Sequence, residues 1–225
     1  MNRLIYTALL CLQLATIAGQ QPAFFKFKYL QQGDGMEDLM TYCVLKDRLG
    51  ILWVGGNKGI KYYDGLRLQH FELNVENIST SSKVVISSFA EDRDGRLWVG
   101  TDTGLVILSP DRSNYILPAA LGILPTISKA TNSHVQADET GNILFLSGST
   151  LYRTNLAQNN VSVVANIHDF PNAPESLLNF LYTPKDRAFY FFADDSQLFM
   201  LRGNQLKNIN YPLYQTGSGH HPIAG

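Results

Sequence analysis

The sequence predicts an all-β protein made of β-propeller blades: about four four-stranded antiparallel blades in an open or incomplete ring. Three observations predict it. A short unit returns about every 45 residues along the 225-residue chain. Each copy reads as apolar strands separated by turns rich in Gly and Asp. The composition, with 12 Phe, 11 Tyr, 18 Gly and only 16% charged residues, suits many short strands joined by tight turns and excludes a disordered tail or a coiled coil.

The first copy, Asp47-Arg48-Leu49-Gly50-Ile51-Leu52-Trp53-Val54-Gly55-Gly56, returns as Asp92-Arg93-Asp94-Gly95-Arg96-Leu97-Trp98-Val99-Gly100-Thr101, with 45 residues from Trp53 to Trp98. A third copy, Asp138-Glu139-Thr140-Gly141-Asn142-Ile143-Leu144-Phe145, follows 46 residues after the second, measured between Gly95 and Gly141. A fourth, Pro184-Lys185-Asp186-Arg187-Ala188-Phe189-Tyr190-Phe191, aligns through its apolar residues and has lost the turn Gly at Arg187. The period matches the roughly 40–50 residues of one four-stranded blade. In the second copy, 85–90 reads as a strand, Arg93-Asp94-Gly95 as a turn and 97–99 as the next strand. Residues 100–104 then read as another turn and 105–108 as a third strand. The first copy places strands at 42–46, 52–54 and 60–63 by the same reasoning. The recurring Asp, Gly and Trp are therefore expected to be turn formers and core aromatics.

A further strand type lies between the copies, at 25–29, 67–71, 114–117, 161–164 and 206–209, with 44 residues from Phe27 to Phe71 and again from Phe71 to Tyr115. Four blades closing on themselves need four such outer strands, and five are present, so the chain is expected to be the front portion of a longer propeller. The expected organisation is a signal peptide at 1–20 and a partial propeller at 21–214. Its blades lie near 24–73, 74–117, 118–167 and 168–214, and a Gly-rich tail at 215–225 precedes the place of a fifth blade.

The leader carries Asn2-Arg3 and then an apolar run of 15 residues, 4–18, which is short of the roughly 20 a membrane-spanning helix needs. A cleaved secretory signal and a periplasmic mature protein are expected, with no membrane span. Formal charge is −1 for the whole chain, so no basic field exists for nucleic acid. Cys11 lies in the leader, which leaves Cys43 alone in an alternating apolar segment, without a base to activate it, as an inert core thiol. His70, His134 and His168 are isolated, and His220-His221 sit in the Gly-rich tail, so no metal set and no cofactor is expected.

The pattern Asp-x-x-Gly-x-Leu-Trp-Val-Gly, with Gly104-Leu105 after the second copy and Tyr63-Asp64-Gly65 after the first, resembles the two-component regulator propeller repeat. The resemblance covers 27–71 and 88–108 and fades from Gly141 onward. It implies the periplasmic sensor region of hybrid histidine-kinase receptors of gut Bacteroidetes. By implication the partner is an oligosaccharide and the full-length receptor a homodimer signalling by phosphorelay, with no kinase motif in this chain. The alternatives are a freestanding exported binding or scaffolding propeller and a propeller glycosidase. The glycosidase's Asp-box places Asp two residues before Gly, whereas Asp47 and Asp92 stand three before Gly50 and Gly95. Two placed carboxylates would also be needed, and Asp138-Glu139 and Asp194-Asp195 read as turn residues. No catalytic residue is assigned, and no ligand residue is named. Ligand is expected at one mouth of the ring, on the connections 31–40, 74–82 and 119–132 that join an outer strand to the next inner one. These read as polar or small segments without a Trp platform for sugar stacking.

Overall fold

The computed structural model describes residues 29–30, 32–36, 40–72, 74–75, 78–79, 84–129, 133–193 and 197–209. The expected signal peptide, most of the 25–29 strand, the tail at 215–225 and Asp194-Asp195 lie outside the described residues. Residues 1–31 and 32–225 are separate compact units, and all strands described below belong to the second.

Blade 1 is the meander β1 (Thr41–Lys46), β2 (Leu52–Gly56), β3 (Gly59–Tyr63) and β4 (Leu68–His70). A small ladder, β5 (Asn74–Val75) with β6 (Ile78–Ser79), follows it. Blade 2 has β7 (Ile86–Glu91), β8 (Leu97–Thr101) and β9 (Gly104–Leu108). Blade 3 is β10 (His134–Ala137), β11 (Ile143–Ser147), β12 (Thr150–Asn155) and β13 (Asn160–Asn166). Blade 4 is β14 (Leu177–Thr183), β15 (Ala188–Ala193), β16 (Leu198–Arg202) and β17 (Gln205–Asn208). Every pairing is antiparallel between sequence neighbours, and the innermost strands abut in the order β1, β7, β10, β14. The result is an arc of blades. Among the described residues helix is confined to single turns such as Gln32–Asp34, Pro118–Leu121 and Pro125–Ser128.

Two local expectations change. The second blade's turn is only Asp102-Thr103, because Gly100 and Thr101 continue β8 opposite Ser88 and Ile86. Gly100 is in the strand for lack of room: a Cβ there would overlap the Ser133 carbonyl oxygen and Ser88 Oγ. The fourth strand of blade 2 shrinks to one bridge between Leu108 and Tyr115, since the Ser109–Asn114 turn is occupied with its own hydrogen bonds, including Ser109 N to Asn114 O at 2.8 Å.

The core lies between blades. Trp53 and Ile60 of blade 1 pack with Ile86, Leu97, Val99 and Leu108 of blade 2. Trp98 and Ile107 then pack with Val135, Ile143 and Phe145 of blade 3. Leu144, Leu146 and Leu151 pack with Phe180, Phe191 and Phe199 of blade 4. Each indole therefore belongs to the seam with the following blade, burying its large apolar area where two sheets meet. Arg187, which replaces the turn Gly of the fourth copy, adopts φ 49°, the left-handed conformation of Gly50, Gly95 and Gly141. The turn geometry persists there without the residue that favours it.

The ends of the arc differ from its middle. In blade 4, Phe180, Phe191 and Phe199 share the face toward blade 3, while the register puts Leu181 and Phe192 on the opposite face, 47% and 44% exposed. In blade 1, Tyr42 and Val44 are 52% and 62% exposed. Such apolar sheet faces drive association. The 225-residue chain is expected to sediment as concentration-dependent oligomers, and a Leu181→Lys, Phe192→Lys variant to shift toward monomer. A wild-type chain that sediments as a sharp monomer at the same concentrations contradicts this.

Candidate functional site

The two ends of the blades carry different chemistry. At the end of the Asp-Gly turns, Asp47 Oδ1 accepts from the backbone N–H groups of Leu49 at 3.0 Å and Ile51 at 2.9 Å, and Oδ2 from Trp53 Nε1 at 2.9 Å. Asp92 repeats the arrangement with Asp94, Arg96 and Trp98 at 3.0, 2.9 and 2.8 Å. Asp138 bonds Thr140 and Asn142 N–H in the same way, but Leu144 stands in the Trp position, and Arg153 Nε fills the vacated place on Oδ2 at 2.8 Å. Each carboxylate closes its turn; Asp47 and Asp92 also anchor the indole of the following strand, and Asp138 the guanidinium of Arg153 one strand further on. Pro184 occupies the place in blade 4, so no carboxylate stands at the head of that turn; Asp186, within it, accepts from Thr183 Oγ1 at 3.3 Å.

Blades 1 and 2 are also clamped by Arg112, itself in the left-handed region at φ 62°. Its Nε and Nη2 donate to Asp47 Oδ2 at 3.0 and 2.8 Å, and Nη2 also donates to Glu91 Oε1 at 2.8 Å. Its Nη1 reaches the Gly95 carbonyl at 2.5 Å. Glu91 in turn accepts from Arg48 N at 2.9 Å and pairs with Arg48 Nε at 3.1 Å. Burial pushes the Asp47 carboxyl upward, but the Trp53 and Arg112 hydrogen bonds outweigh it and hold the group below the usual carboxylate range. Asp138 is likewise held low against its burial by Thr140 and Arg153. Carboxylates so engaged are poor general acids or bases. Their chemistry is structural.

The isolated candidates fit the same frame. Cys43 Sγ approaches the Ile86 carbonyl at 3.8 Å across the first seam, and burial pushes its thiol up to about 12. His134, at the matching position of blade 3, is lowered to about 4 by burial, partly offset by the Leu178 backbone. The unfolded chain takes up a proton near 6.5 that the folded chain takes only near 4. Stability is therefore full above pH 6.5 and falls as pH drops through that window, by roughly 1–3 kcal/mol. Urea unfolding at stepped pH is expected to show this loss and His134→Gln to flatten it; parallel profiles for the two proteins contradict it. His70 is lowered by burial and by Lys61. Among the described residues no group of three or more His, Cys, Asp or Glu is placed to hold a metal ion, and no helix is long and apolar enough to cross a membrane.

The opposite end gathers the connections from each outer strand to the next inner strand, together with the β2–β3, β8–β9, β11–β12 and β15–β16 turns. Parts of 31–40, 74–82 and 119–132 lie outside the described residues. In the first, the Gly35 carbonyl accepts at 2.5 Å from the Nζ of Lys61, a side chain only 4% exposed. The third is less free than its composition suggests: Leu121 and Ile123 are buried in the seam of blades 2 and 3, and Ser147 Oγ donates to the Ile127 carbonyl at 3.0 Å. That connection is partly core.

The fourth member of the series, 167–176, was not singled out by sequence, yet it borders a cleft of about 340 Å³. Asn172, Pro174, Glu175 and Ser176 line it from the connection, and Gln197 and Phe199 from blade 4. The volume lies at the small end of the roughly 300–1,000 Å³ typical of ligand clefts. Asn166 Oδ1 accepts from His168 N at 3.1 Å, and His168 Nε2 lies 3.3 Å from the Glu175 carbonyl oxygen, so the connection is held by its own side chains. The signal that could have found it is its place in the period, between an outer and an inner strand like the other three.

Residues 80–103, which include the Asp92-to-Trp98 unit, match the family described as two component regulator propeller. The match spans 24 of the 225 residues. Among solved structures, the extracellular domain of BT4673 from B. thetaiotaomicron, assigned to the one-component systems, superposes with a TM-score of 0.59 at 21% identity. That match covers 88% of this chain and 24% of that one. The extracellular domain of BT3049 from the same organism, assigned to the hybrid two-component systems, gives 0.54 at 16% identity over 76% of this chain and 23% of that one. YCF48 bound to D1 peptide gives 0.52 at 13% identity over 77% and 55%. These likenesses establish the propeller fold, and the repeat carries the family signature; the chain spans about a quarter of the length of the two Bacteroides domains. No curated protein sequence matches the chain.

Proposed function

We propose that this chain contributes propeller blades to the ligand-sensing region of a hybrid two-component receptor, exported to the periplasm, where it recognises a glycan fragment without cleaving it. The observation that carries the reading is the regulator-propeller repeat at 80–103, whose Asp92–Trp98 staple sits at the seam of blades 2 and 3. The extracellular placement of the two Bacteroides domains supports an extracytoplasmic site of action. The turn carboxylates, bound by turn N–H groups, indoles and guanidinium groups, support a role without catalysis. In the full receptor the propeller forms a homodimer, and ligand shifts the receptor by favouring one of two arrangements; histidine-kinase activity resides outside these blades.

The test is a glycan array probed with the purified 225-residue chain, beside spheroplast fractionation of cells expressing it. Saturable glycan binding and release with the periplasmic fraction are expected. Retention in the cytosol overturns the sensing role. So does binding confined to proteins, which moves the chain to the freestanding scaffolds.

A further inference from the structure

We propose that the cleft at the end of blade 4 seats an uncharged or amine-bearing saccharide of one or two rings, and that Glu175 makes it reject acidic sugars. The proposal rests on the glycan-sensing reading and adds a place and a charge preference to it. The lining offers hydroxyl-matching groups: the carboxamides of Asn172 and Gln197, the Ser176 hydroxyl and the Glu175 carboxylate, beside the apolar surface of Pro174 and Phe199. Carboxamides donate and accept, whereas a carboxylate only accepts, and its two oxygens suit a pair of neighbouring hydroxyls or an ammonium group. Among the described residues neither the Glu175 carboxylate nor the Asn172 carboxamide has a side-chain hydrogen-bond partner, although the Glu175 carbonyl is engaged by His168.

Among the described residues no Lys or Arg lines the cleft. An acidic ligand would bring its charge to Glu175 with no cation among the described lining residues to offset it, whereas an ammonium group would be attracted. For charges a few ångströms apart at a partly exposed site, the difference is roughly tenfold in affinity in each direction. The site is also prepared in advance. Pro174 is buried, Asn172 holds φ 60°, and Gln197 Oε1 is held by Asn208 Nδ2. A lining fixed before binding spares the ligand the cost of ordering it.

The experiment is a set of amide-shift titrations of the 225-residue chain with glucose, glucosamine and glucuronate at equal ionic strength, repeated on Glu175→Gln. The expected result is shifts at 172–176 and 197, with glucuronate about tenfold weaker than glucose and glucosamine at least as tight. In Glu175→Gln, which keeps the shape and removes the charge, the three affinities converge. Glucuronate binding as tightly as glucose, an order unchanged by Glu175→Gln, or shifts confined to other residues overturns the proposal while leaving glycan sensing standing. If neither these sugars nor any arrayed glycan binds, both readings fall.

Discussion

Replacing Arg112 with Ala will destabilise the protein by about 3–5 kcal/mol, because it leaves the buried Asp47 carboxylate without its cation. Asp47 is 5% exposed and Arg112 7%. The guanidinium forks onto Asp47 and bridges to Glu91, so one truncation removes three bonds to carboxylates and one of the links between blades 1 and 2, the Arg48–Glu91 pair being another. Arg112→Lys keeps the charge but not the fork and should fall between wild type and Ala. Urea unfolding followed by tryptophan fluorescence is the measurement, since Trp53 shares Asp47 with Arg112. A cost below about 1 kcal/mol would place the cluster among surface ion pairs. The acid limb follows from the same geometry. Asp47 is held below its unfolded value, so its contribution is complete above about pH 4 and is lost as pH falls through its folded value. Asp47→Asn should be less stable at neutral pH and show less of that acid loss.

Gly100→Ala should cost about 1–3 kcal/mol, at the upper end of that range because the nearest atom the added methyl meets is a backbone carbonyl oxygen. A Cβ on Gly100 would overlap the Ser133 carbonyl oxygen, and that carbonyl already accepts from Ser87 Oγ at 2.6 Å. Ser88 Oγ, also in the way, accepts from Val135 N at 2.8 Å. Moving either group opens the seam between β7 and β10. Gly55 stands in the same position of blade 1, where a Cβ would overlap Ile86 Cγ2 and approach Cys43 Sγ. There the obstacles are side-chain atoms at 2.5 Å and beyond, whereas at Gly100 a backbone oxygen stands closer, so Gly55→Ala should be the milder change. Equal melting temperatures for wild type and Gly100→Ala would show that the blades do not meet as closely as this.

These two predictions rest on features that sequence revealed unevenly. The period, the Asp-Gly turns and the strand positions follow from local pattern, because turn formers and apolar runs act within a few residues. That Asp47 and Asp92 also bond the indoles six residues later was hidden behind their role as turn formers. Arg112 lies 65 residues from Asp47 and inside an ordinary-looking Ser-Pro-Asp-Arg turn, so nothing local marks it as a clamp. Gly100 looks like one more turn glycine; only the neighbouring blade makes it a close-approach residue. Leu121 and Ile123 sit in a connection whose small neighbours, Ala120 and Gly122, and lack of strand periodicity masked their burial. The cleft at 167–176 escaped because Asn172, Glu175 and Ser176 are individually unremarkable loop residues, joined only by the packing of blade 4. Locally determined structure was legible, and contacts between blades were not.

Sensing and catalysis part in a single titration. Calorimetry of the 225-residue chain against the glycan that binds most strongly on the array, with chromatography of the sugar recovered afterwards, reads binding and turnover in one sample. Saturable heat with the glycan recovered intact is predicted, and neither the heat nor the recovery should depend on Asp138 or Glu139. Shortened glycan in the recovered sample, lost when one carboxylate is replaced by its amide, would contradict the sensing role and make the protein a glycosidase.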